Sequence, residues 1–411
     1  MRIIFYLLIA GIAAIVTYAL ALLVLKLSLK YRLYPQVRQR DVHTRPTPRL
    51  GGVAMFFGIL AAFAVASSLG NFSLIFNEPG KVFGLLGAAL IIVIIGVADD
   101  IWDLDWLTKL AGQIIAAFVL AWPGVQLSTL PIGGRAIVSP YVSLIITIFA
   151  VVLVMNAVNF IDGLDGLVAG VAVISSSVFF VYAYLLQSQA QTEYFNLASL
   201  TTAILIGACV GFLPINFHPA KMFMGDAGAL LVGLLMAASA ISVTGQVDDG
   251  YLAQPDKFTL GFLPAFIPIL LPVAVLVIPL LDFGLAMIRR LRAGKSPFTA
   301  DRKHLHHRLL DMGHSHLHAV LILYAWTCVA SVGVLAFTFV PWRWAALMFV
   351  AGLALSAAIT LAPLSRRKAR EAAAQRHGEE PKVSAAGANY DGLDAASTDT
   401  SPTPLAKEPT S

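Results

Sequence analysis

The sequence contains little charge. Only 12% of its 411 residues are Asp, Glu, Lys or Arg, whereas a soluble globular domain is typically about 25% charged. With 58% apolar residues and a mean hydropathy of +0.80, the chain has too little polar surface to be surrounded by water. This composition excludes a soluble enzyme, a collagen and a disordered protein, and it predicts a membrane protein.

Cysteine is also scarce. The two cysteines, Cys209 and Cys328, both lie inside apolar stretches. Two such residues do not make a disulfide framework, and they say little about the redox compartment. The sequence is therefore not that of a disulfide scaffold.

What the chain does have is a series of long apolar runs. A helix that spans a bilayer needs about 20 mostly apolar residues, and Gly or Pro is tolerated inside it. The runs predict an all-α, polytopic membrane protein with about eleven transmembrane helices. The predicted spans are 3–25, 50–69, 82–98, 107–122, 141–158, 166–187, 197–214, 227–244, 261–288, 318–339 and 344–363.

Basic residues are distributed unevenly between the two ends of these spans. Of the 28 Lys and Arg residues, 23 lie in the C-terminal tail, in the loops that follow odd-numbered spans or within three residues of such a loop. Cytoplasmic loops keep the excess of Lys and Arg, so this split predicts an N-terminus outside and a C-terminus in the cytoplasm. The odd-numbered loops then face the cytoplasm.

The chain changes character at Ser365, where a short basic stretch gives way to Ala, Glu, Ser, Thr and Pro without an apolar face. We therefore expect a membrane-embedded domain over 1–364 and a disordered cytoplasmic tail over 365–411. The basic start of the tail is expected near anionic headgroups. The predicted cytoplasmic loops of the domain are 26–49, 99–106, 159–165, 215–226 and 289–317.

Four of these loops concentrate Asp, Asn, Gly and His. They contain Asp99 and Asp100, the segment from Asn156 to Gly166, the segment from Asn216 to Gly228, and the segment from Asp301 to Leu309. Clustered carboxylates repel one another in a partly dry site, and a divalent cation offsets that repulsion. Mg²⁺ takes one or two protein carboxylates and leaves other positions for phosphate oxygens. The pattern predicts a Mg²⁺ site that bridges a diphosphate, with Mn²⁺ as an alternative ion.

Several of these residues also have a structural interpretation. Asp105 precedes a predicted helix and is expected to be an N-cap rather than a catalyst. Asp162 and Asp165 are explained equally well as turn residues. Asp282 lies inside an apolar span, which makes it a candidate functional residue, with pairing to Arg289 or Arg290 as the structural alternative.

Five stretches together resemble those of the polyprenyl-phosphate N-acetylhexosamine-1-phosphate transferases, a superfamily of membrane enzymes. They are Pro46-Thr47-Pro48-Arg49-Leu50-Gly51-Gly52, Asp99-Asp100, Asn159 to Gly166, Phe223-Met224-Gly225-Asp226 and His304-Leu305-His306-His307-Arg308-Leu309. The resemblance covers residues 40–318, and motifs in this order and spacing are highly specific. It implies ten or eleven helices around a cytoplasmic cleft, often in a homodimer.

The last motif separates branches of this superfamily. His-x-His-His-Arg is similar to the pattern of the enzymes that use UDP-N-acetylglucosamine (UDP-GlcNAc), whereas the branch acting on UDP-MurNAc-pentapeptide usually has three consecutive His. Arg40–His43 and Gly313–His316 look most like actinobacterial members, in which the carrier can be decaprenyl rather than undecaprenyl phosphate. The resemblance therefore implies a Mg²⁺-dependent transfer of GlcNAc-1-phosphate to polyprenyl phosphate in the inner leaflet of the plasma membrane. The products are UMP and a lipid intermediate of a cell-wall or surface polysaccharide.

The resemblance also assigns roles to single residues. The implied nucleotide contacts are Asn159, Asp162, Asp165, Asn216 and Phe223, with Phe223 stacked on uracil. The implied metal ligands are Asp226 and Asp100. The implied catalytic residues are Asp99, Asp100, His304, His306 and His307, with Arg308 near the diphosphate and sugar. A basic residue before Gly51 is expected at the substrate, and both Arg45 and Arg49 qualify.

Two alternatives stay open. One is the pentapeptide-sugar transferase of the same superfamily, which the His motif disfavours. The other is an ion or metal transporter that uses Asp282 and the His-rich loop. Transporters place coupling carboxylates near the bilayer midplane, often at broken helices of repeated halves, whereas here most Asp residues lie at one interface and no repeat is visible. The expected partners are UDP-GlcNAc, the lipid carrier and membrane lipids. We expect no nucleic-acid partner.

Overall fold

The computed structural model describes residues 2–31, 47–127, 129–131, 135–137, 139–190, 193–244, 270–294 and 304–376. Within these ranges the protein is built almost wholly from helices, as the composition predicts. Predictions that fall on other residues, including Arg45, the first part of the ninth span and most of the tail, lie outside the described residues.

The helices follow the predicted spans closely. They are α1 (Arg2–Tyr31), α2 (Gly51–Ser67), α3 (Ser73–Phe76), α4 (Pro79–Trp102), α5 (Trp106–Ala121), α6 (Pro140–Phe160), α7 (Leu167–Ala190), α8 (Glu193–Asn216), α9 (Gly225–Thr244), α10 (Val277–Arg292), α11 (Leu305–Asp311), α12 (His316–Ala336) and α13 (Trp342–Arg376). An antiparallel pair between α5 and α6, β1 (Thr129–Pro131) and β2 (Arg135–Ile137), departs from the all-α expectation, with Leu130 opposite Ala136.

Eight helices in the described ranges are long and apolar enough to cross a membrane. The number is nine if α2 and the helical segment Gly70–Phe76, which is bent from it by 96°, form one span. The chain is therefore a polytopic, helical membrane protein. The predicted count of eleven also includes α5, which has only 16 residues, and the ninth segment, of which a helical stretch over 270–275 and α10 are described. That count and the orientation of the termini stay predictions.

Helix α9 is the centre of the bundle. It packs against α2, α4, α6, α7 and α8. Of its most apolar 18-residue stretch, 89% is buried inside the protein. A helix that is apolar all round belongs in the interior, and small residues at its start allow close neighbours. A side chain at Gly52 of α2 would collide with the backbone of Gly228. The bundle thereby places the N-terminus of α9, with Asp226, among several other helix ends.

The last helix is the opposite case. Only 11% of the most apolar 18-residue stretch of α13 is buried inside the protein. The helix continues past Ser365 to Arg376. The disordered tail expected over 365–411 stays a prediction, although the helix extends beyond the expected boundary at Ser365. The physical reason is that the Arg, Lys, Ala and Glu residues in this stretch are good helix formers, so the helix of the last span propagates into them.

Candidate active site

Two distant motifs run side by side at the start of α2 and α9. The Phe223 amide donates to the Pro48 carbonyl at 2.8 Å, and the Gly51 amide donates back to the Phe223 carbonyl at 3.1 Å. The Gly52 amide then donates to the Met224 carbonyl at 2.9 Å. These backbone hydrogen bonds join residues 48–52 to residues 223–224 at the start of the two helices.

The end of α4 completes this junction through Asp100. The Asp226 amide, in the first turn of α9, donates to Asp100 Oδ1 at 3.3 Å. Gly225 has a φ of +69°, a conformation that glycine adopts without steric cost. A Cβ at Gly225 would also collide with the Arg49 carbonyl and the Asp100 carboxylate. Glycine is therefore required both to start α9 and to let α4 approach it.

Asp226 lies at the middle of a polar cluster. Its Oδ1 accepts a hydrogen bond from Asn159 Nδ2 at 3.1 Å, and its Oδ2 lies 3.5 Å from Lys109 Nζ. Its carboxyl group also interacts electrostatically with that of Asp99. Lys109 Nζ lies 2.5 Å from Asp99 Oδ2, so one ammonium group offsets part of the charge of two carboxylates. We call these four residues, with Asp100, the carboxylate cluster.

Lys109 is a site residue that the sequence analysis does not single out. It lies in the first turn of α5, and it is the only charged residue of that helix. A single lysine in an apolar helix close to a pair of aspartates is unusual, because ionisable residues are costly at membrane depth. That isolation is the signal that identifies it from sequence.

Asp99 shapes the turn that leaves α4. The Leu104 amide donates to Asp99 Oδ1 at 2.8 Å, and Asp103, with φ of 55°, ends the helix in the left-handed region. The two oxygens of Asp99 therefore have different partners, the loop backbone and Lys109. This arrangement holds the Asp99 carboxylate towards Asp226.

Asp105 is the N-cap of α5, which confirms the structural interpretation of this residue. Its carboxylate accepts hydrogen bonds from the Thr108 hydroxyl at 2.6 Å and from the amides of Thr108 and Leu107 at 3.1 and 3.0 Å. These bonds, the hydroxyl first, hold the pKa of the exposed Asp105 carboxyl below its usual range. The cap fixes the first turn of α5 and with it Lys109.

The carboxylate cluster fits the donor set that Mg²⁺ prefers. Asp100 Oδ2 is buried and has no hydrogen-bond partner within the described ranges, and Asp226 supplies further carboxylate oxygens beside it. No three His, Cys, Asp or Glu residues in the described part of the chain are arranged to hold a metal ion by themselves. Mg²⁺ commonly takes only one or two protein carboxylates and fills its other positions with water and phosphate oxygens. Asp100 and Asp226 are suited to that partial coordination.

Asp165 and Asn216 brace two loops against each other. Asn216 accepts from the Gly166 amide and donates to the Met222 carbonyl, both at 3.1 Å. Asp165 Oδ2 accepts from the Ala220 amide at 3.0 Å and lies 2.8 Å from His218 Nδ1. Both side chains are buried. They shape the surface formed by residues 161–166 and 216–222, and direct contact with a nucleotide stays a prediction.

Asp162 and Arg49 lie near the carboxylate cluster. Burial raises the pKa of the Asp162 carboxyl to about 7, and the charge of Asp226 acts in the same direction, whereas Arg49 opposes the shift. Arg49 also interacts electrostatically with Asp100. Arg49 is therefore a basic residue beside the cluster, while its role towards substrate, like the stacking role of the partly exposed Phe223, stays a prediction.

The histidine motif reaches the same end of the bundle through Phe160. The rings of His304 and Phe160 lie 5.5 Å apart, and Phe160 directly follows Asn159, which binds Asp226. His304 is buried at the N-cap position of α11. His307 is partly exposed and Arg308 is exposed, whereas the side chain of His306 lies outside the described part of the structure. The catalytic roles of these residues stay predictions.

Comparison with known proteins identifies the family. The sequence model of glycosyl transferase family 4 matches residues 82–244. The chain is also 40% identical over 361 residues to the decaprenyl-phosphate N-acetylglucosaminephosphotransferase of Mycobacterium leprae. The aligned residues are 87% of this chain and 89% of that protein. The chain belongs to glycosyl transferase family 4, and the resemblance found in the sequence motifs is confirmed.

Two further relatives are similar to this chain over most of their length. The probable undecaprenyl-phosphate N-acetylglucosaminyl 1-phosphate transferase of Bacillus subtilis is 31% identical over 305 residues, which are 74% of this chain and 76% of that protein. The undecaprenyl-phosphate alpha-N-acetylglucosaminyl 1-phosphate transferase of Escherichia coli K12 is 28% identical over 321 residues, which are 76% and 78% of the two chains.

Proposed function

We propose that the protein transfers GlcNAc-1-phosphate from UDP-GlcNAc to a polyprenyl phosphate and releases UMP. The observation that carries this proposal is the carboxylate cluster, in which three aspartates, one lysine and one asparagine from four helices converge at the start of the buried helix α9. Relatives named for polyprenyl phosphate and N-acetylglucosamine match most of the chain. The product would be polyprenyl-diphosphate-GlcNAc, an intermediate of a cell-wall or surface polysaccharide.

The chemistry follows from the charges of the reactants. An oxygen of the lipid phosphate attacks the β-phosphorus of UDP-GlcNAc, and the bond from that phosphorus to the oxygen shared with the α-phosphorus breaks. Both reactants are anionic, so positioning and charge neutralisation supply most of the rate. Asp226 and Asp100 would hold Mg²⁺, which offsets the charge of the diphosphate when bound. Asp99, whose direction is set by Lys109 and the Leu104 amide, orients the attacking phosphate.

The location of the site is inferred from the charge of the loops. The excess of Lys and Arg in the odd-numbered loops supports a cytoplasmic site at the plasma membrane, where the carrier phosphate lies in the inner leaflet. The 40% identical relative is named for decaprenyl phosphate and those at 28–31% identity for undecaprenyl phosphate. Decaprenyl phosphate is therefore the first carrier to test. A homodimer is part of the same proposal by resemblance.

A donor-selection assay tests the proposal. Purified protein, Mg²⁺ and decaprenyl phosphate are offered either UDP-GlcNAc or UDP-MurNAc-pentapeptide, and UMP release is measured. We expect UMP from UDP-GlcNAc alone. UMP from the pentapeptide donor alone would establish the alternative transferase, and metal-driven flux in vesicles that survives Asp226→Asn, without UMP release, would favour the transporter.

A further inference from the structure

One buried carboxylate outside the carboxylate cluster binds the start of the histidine motif. Asp282 of α10 is fully buried. Its Oδ2 lies 2.9 Å from His304 Nδ1, and its Oδ1 accepts a hydrogen bond from the Leu305 amide at 2.8 Å. Both carboxylate oxygens are thus engaged by the first two residues of the motif, 22 and 23 residues further along the chain.

The choice of an aspartate at this position requires an explanation. A fully buried carboxylate is costly unless charged or strongly polar partners compensate for its lost hydration. Holding the amide at the start of a helix needs only a neutral acceptor such as Ser, Thr or Asn. What a carboxylate adds is a strong acceptor for the proton on one ring nitrogen of a histidine, and this selects the tautomer and fixes the ring.

The ring of His304 is held on a second side by Phe160. Phe160 packs against His304 with ring centroids 5.5 Å apart and against Phe283 of α10 with centroids 5.3 Å apart. The guanidinium of Arg290, also on α10, lies 5.2 Å from the centre of the same ring. Helix α10 therefore holds His304 against the residue that follows Asn159, which itself binds Asp226.

We propose that Asp282 is a positioning residue for His304. By accepting the Nδ1 proton, it fixes the tautomer of His304 in which Nε2 is the nitrogen that serves the substrate phosphates, and by binding the Leu305 amide it sets the start of α11. The inference rests on the proposed function, because it gives His304 its orientation for that phosphoryl transfer. Asp282 acts through His304 and does not itself contact substrate.

The decisive variant is Asp282→Asn. Asn keeps an oxygen for the Leu305 amide, but its amide group donates a proton towards His304 Nδ1 and so favours the opposite tautomer. We expect kcat to fall about 10- to 100-fold, the range typical for removing the carboxylate partner of a metal-bound histidine, which is held in the same way. The KM for UDP-GlcNAc and the Tm should stay close to those of the wild-type protein. A kcat equal to that of the wild type would overturn the inference.

Ser175→Ala is the matched control. Ser175 Oγ donates a buried hydrogen bond to the Val275 carbonyl at 2.7 Å, so its loss disturbs the segment just before α10 without touching His304. We expect Ser175→Ala to keep the wild-type kcat. If it lowers kcat as much as Asp282→Asn does, general loosening of this part of the bundle explains both losses and the positioning role is wrong.

A double-mutant cycle separates positioning from an independent structural role. In the His304→Ala background, Asp282→Asn should cost less than about twofold in kcat, because residues that act as a unit are strongly non-additive. A full additional loss in that background would contradict the inference. If Asp282→Asn does not fold, Asp282→Glu takes its place, since the displaced carboxylate should lower kcat while KM and Tm are kept, and an unchanged kcat would again contradict it.

Failure of this inference differs from failure of the proposed function. A wild-type protein that turns over UDP-GlcNAc while Asp282→Asn is unaffected would remove only the role of Asp282. A wild-type protein that releases no UMP from UDP-GlcNAc would remove the proposed function and, with it, the role of Asp282.

Discussion

The carboxylate cluster and the histidine segment, which consists of His304 and α11, lie at one end of the bundle, but they are held in different ways. The aspartates of the cluster come from helix ends that pack backbone against backbone around α9, with Gly225 and Gly52 at the closest approaches. The histidine segment is a seven-residue helix whose first residues are bound by the single side chain of Asp282. The packing of many helices therefore fixes the cluster, whereas one buried carboxylate orients the histidine segment.

The two parts should therefore respond differently to single substitutions. In the cluster, a change of charge alters the chemistry while the backbone frame stays in place. In the histidine segment, a change at Asp282 alters the orientation of a functional group and leaves the cluster intact. Four substitutions in and around the carboxylate cluster are expected to have successively smaller effects.

Asp226→Asn should reduce kcat by about 10³-fold, because it removes the central negative charge of the cluster where electrostatic stabilisation is concentrated. Asn retains the size of Asp and an oxygen that can accept from Asn159 Nδ2. UMP release at saturating substrates and Mg²⁺ measures the effect. The exposed Asp105→Asn is the control and should keep nearly full activity, whereas a nearly normal kcat for Asp226→Asn would exclude it from the reaction centre.

Lys109→Met should lower kcat by about 100-fold, since it leaves Asp99 and Asp226 in contact without the ammonium group that offsets their repulsion. Met keeps the length and apolar stem of the lysine. Lys221→Met, at an exposed position in the loop before α9, removes the same charge and should change kcat little. Equal effects of the two substitutions would show that only the overall charge of this face matters.

Much of this site could be predicted from the sequence, because Asp residues at the edges of apolar helices are rare enough to notice. Asp99, Asp100 and Asp226 were identified in this way. Lys109 was missed because it lies inside a span rather than in a loop. The structure pairs Asp282 with His304, whereas the sequence suggested Arg289 or Arg290, because helical spacing reveals partners on the same helix only. A contact with a residue far along the chain depends on the tertiary fold, which helical spacing does not reveal.

The loop-bracing roles of Asp165 and Asn216 were hidden for the same reason. The residues around each of them resemble a family motif, and resemblance assigns a role to a position without showing which atoms it bonds. Their hydrogen bonds connect residues that are 50 and 55 positions apart in the chain. Such long-range pairs follow from the packing of α7, α8 and α9 rather than from any local pattern.

Gly225→Ala tests the packing frame of the cluster. The positive φ costs an L-residue about 1–3 kcal/mol, and the added Cβ also collides with the Arg49 carbonyl and the Asp100 carboxylate. We expect a lower Tm and a kcat reduced about tenfold, because a small misplacement of reacting groups is costly. Gly11→Ala is the control, since its added Cβ would meet no atom of another described segment within 4 Å. A wild-type Tm and kcat for Gly225→Ala would show that close packing at Gly225 does not hold the carboxylate cluster in place.

Phe223→Ala should have the smallest effect and should act on binding. Loss of an aromatic face that stacks on a base costs about 1–3 kcal/mol, so the KM for UDP-GlcNAc should rise about tenfold while kcat changes little. Initial rates over a range of UDP-GlcNAc concentrations separate the two. An unchanged KM would remove the stacking role of Phe223.

The mass of the lipid product is the most direct test of GlcNAc-1-phosphate transfer. Purified protein is incubated with decaprenyl phosphate, UDP-GlcNAc and Mg²⁺, and the lipid and nucleotide products are identified by mass spectrometry. We predict a lipid that has gained both an N-acetylhexosamine and a phosphate, with one UMP released for each, and loss of both products in Asp226→Asn. A lipid that has gained the sugar without a second phosphate, with release of UDP, would contradict it.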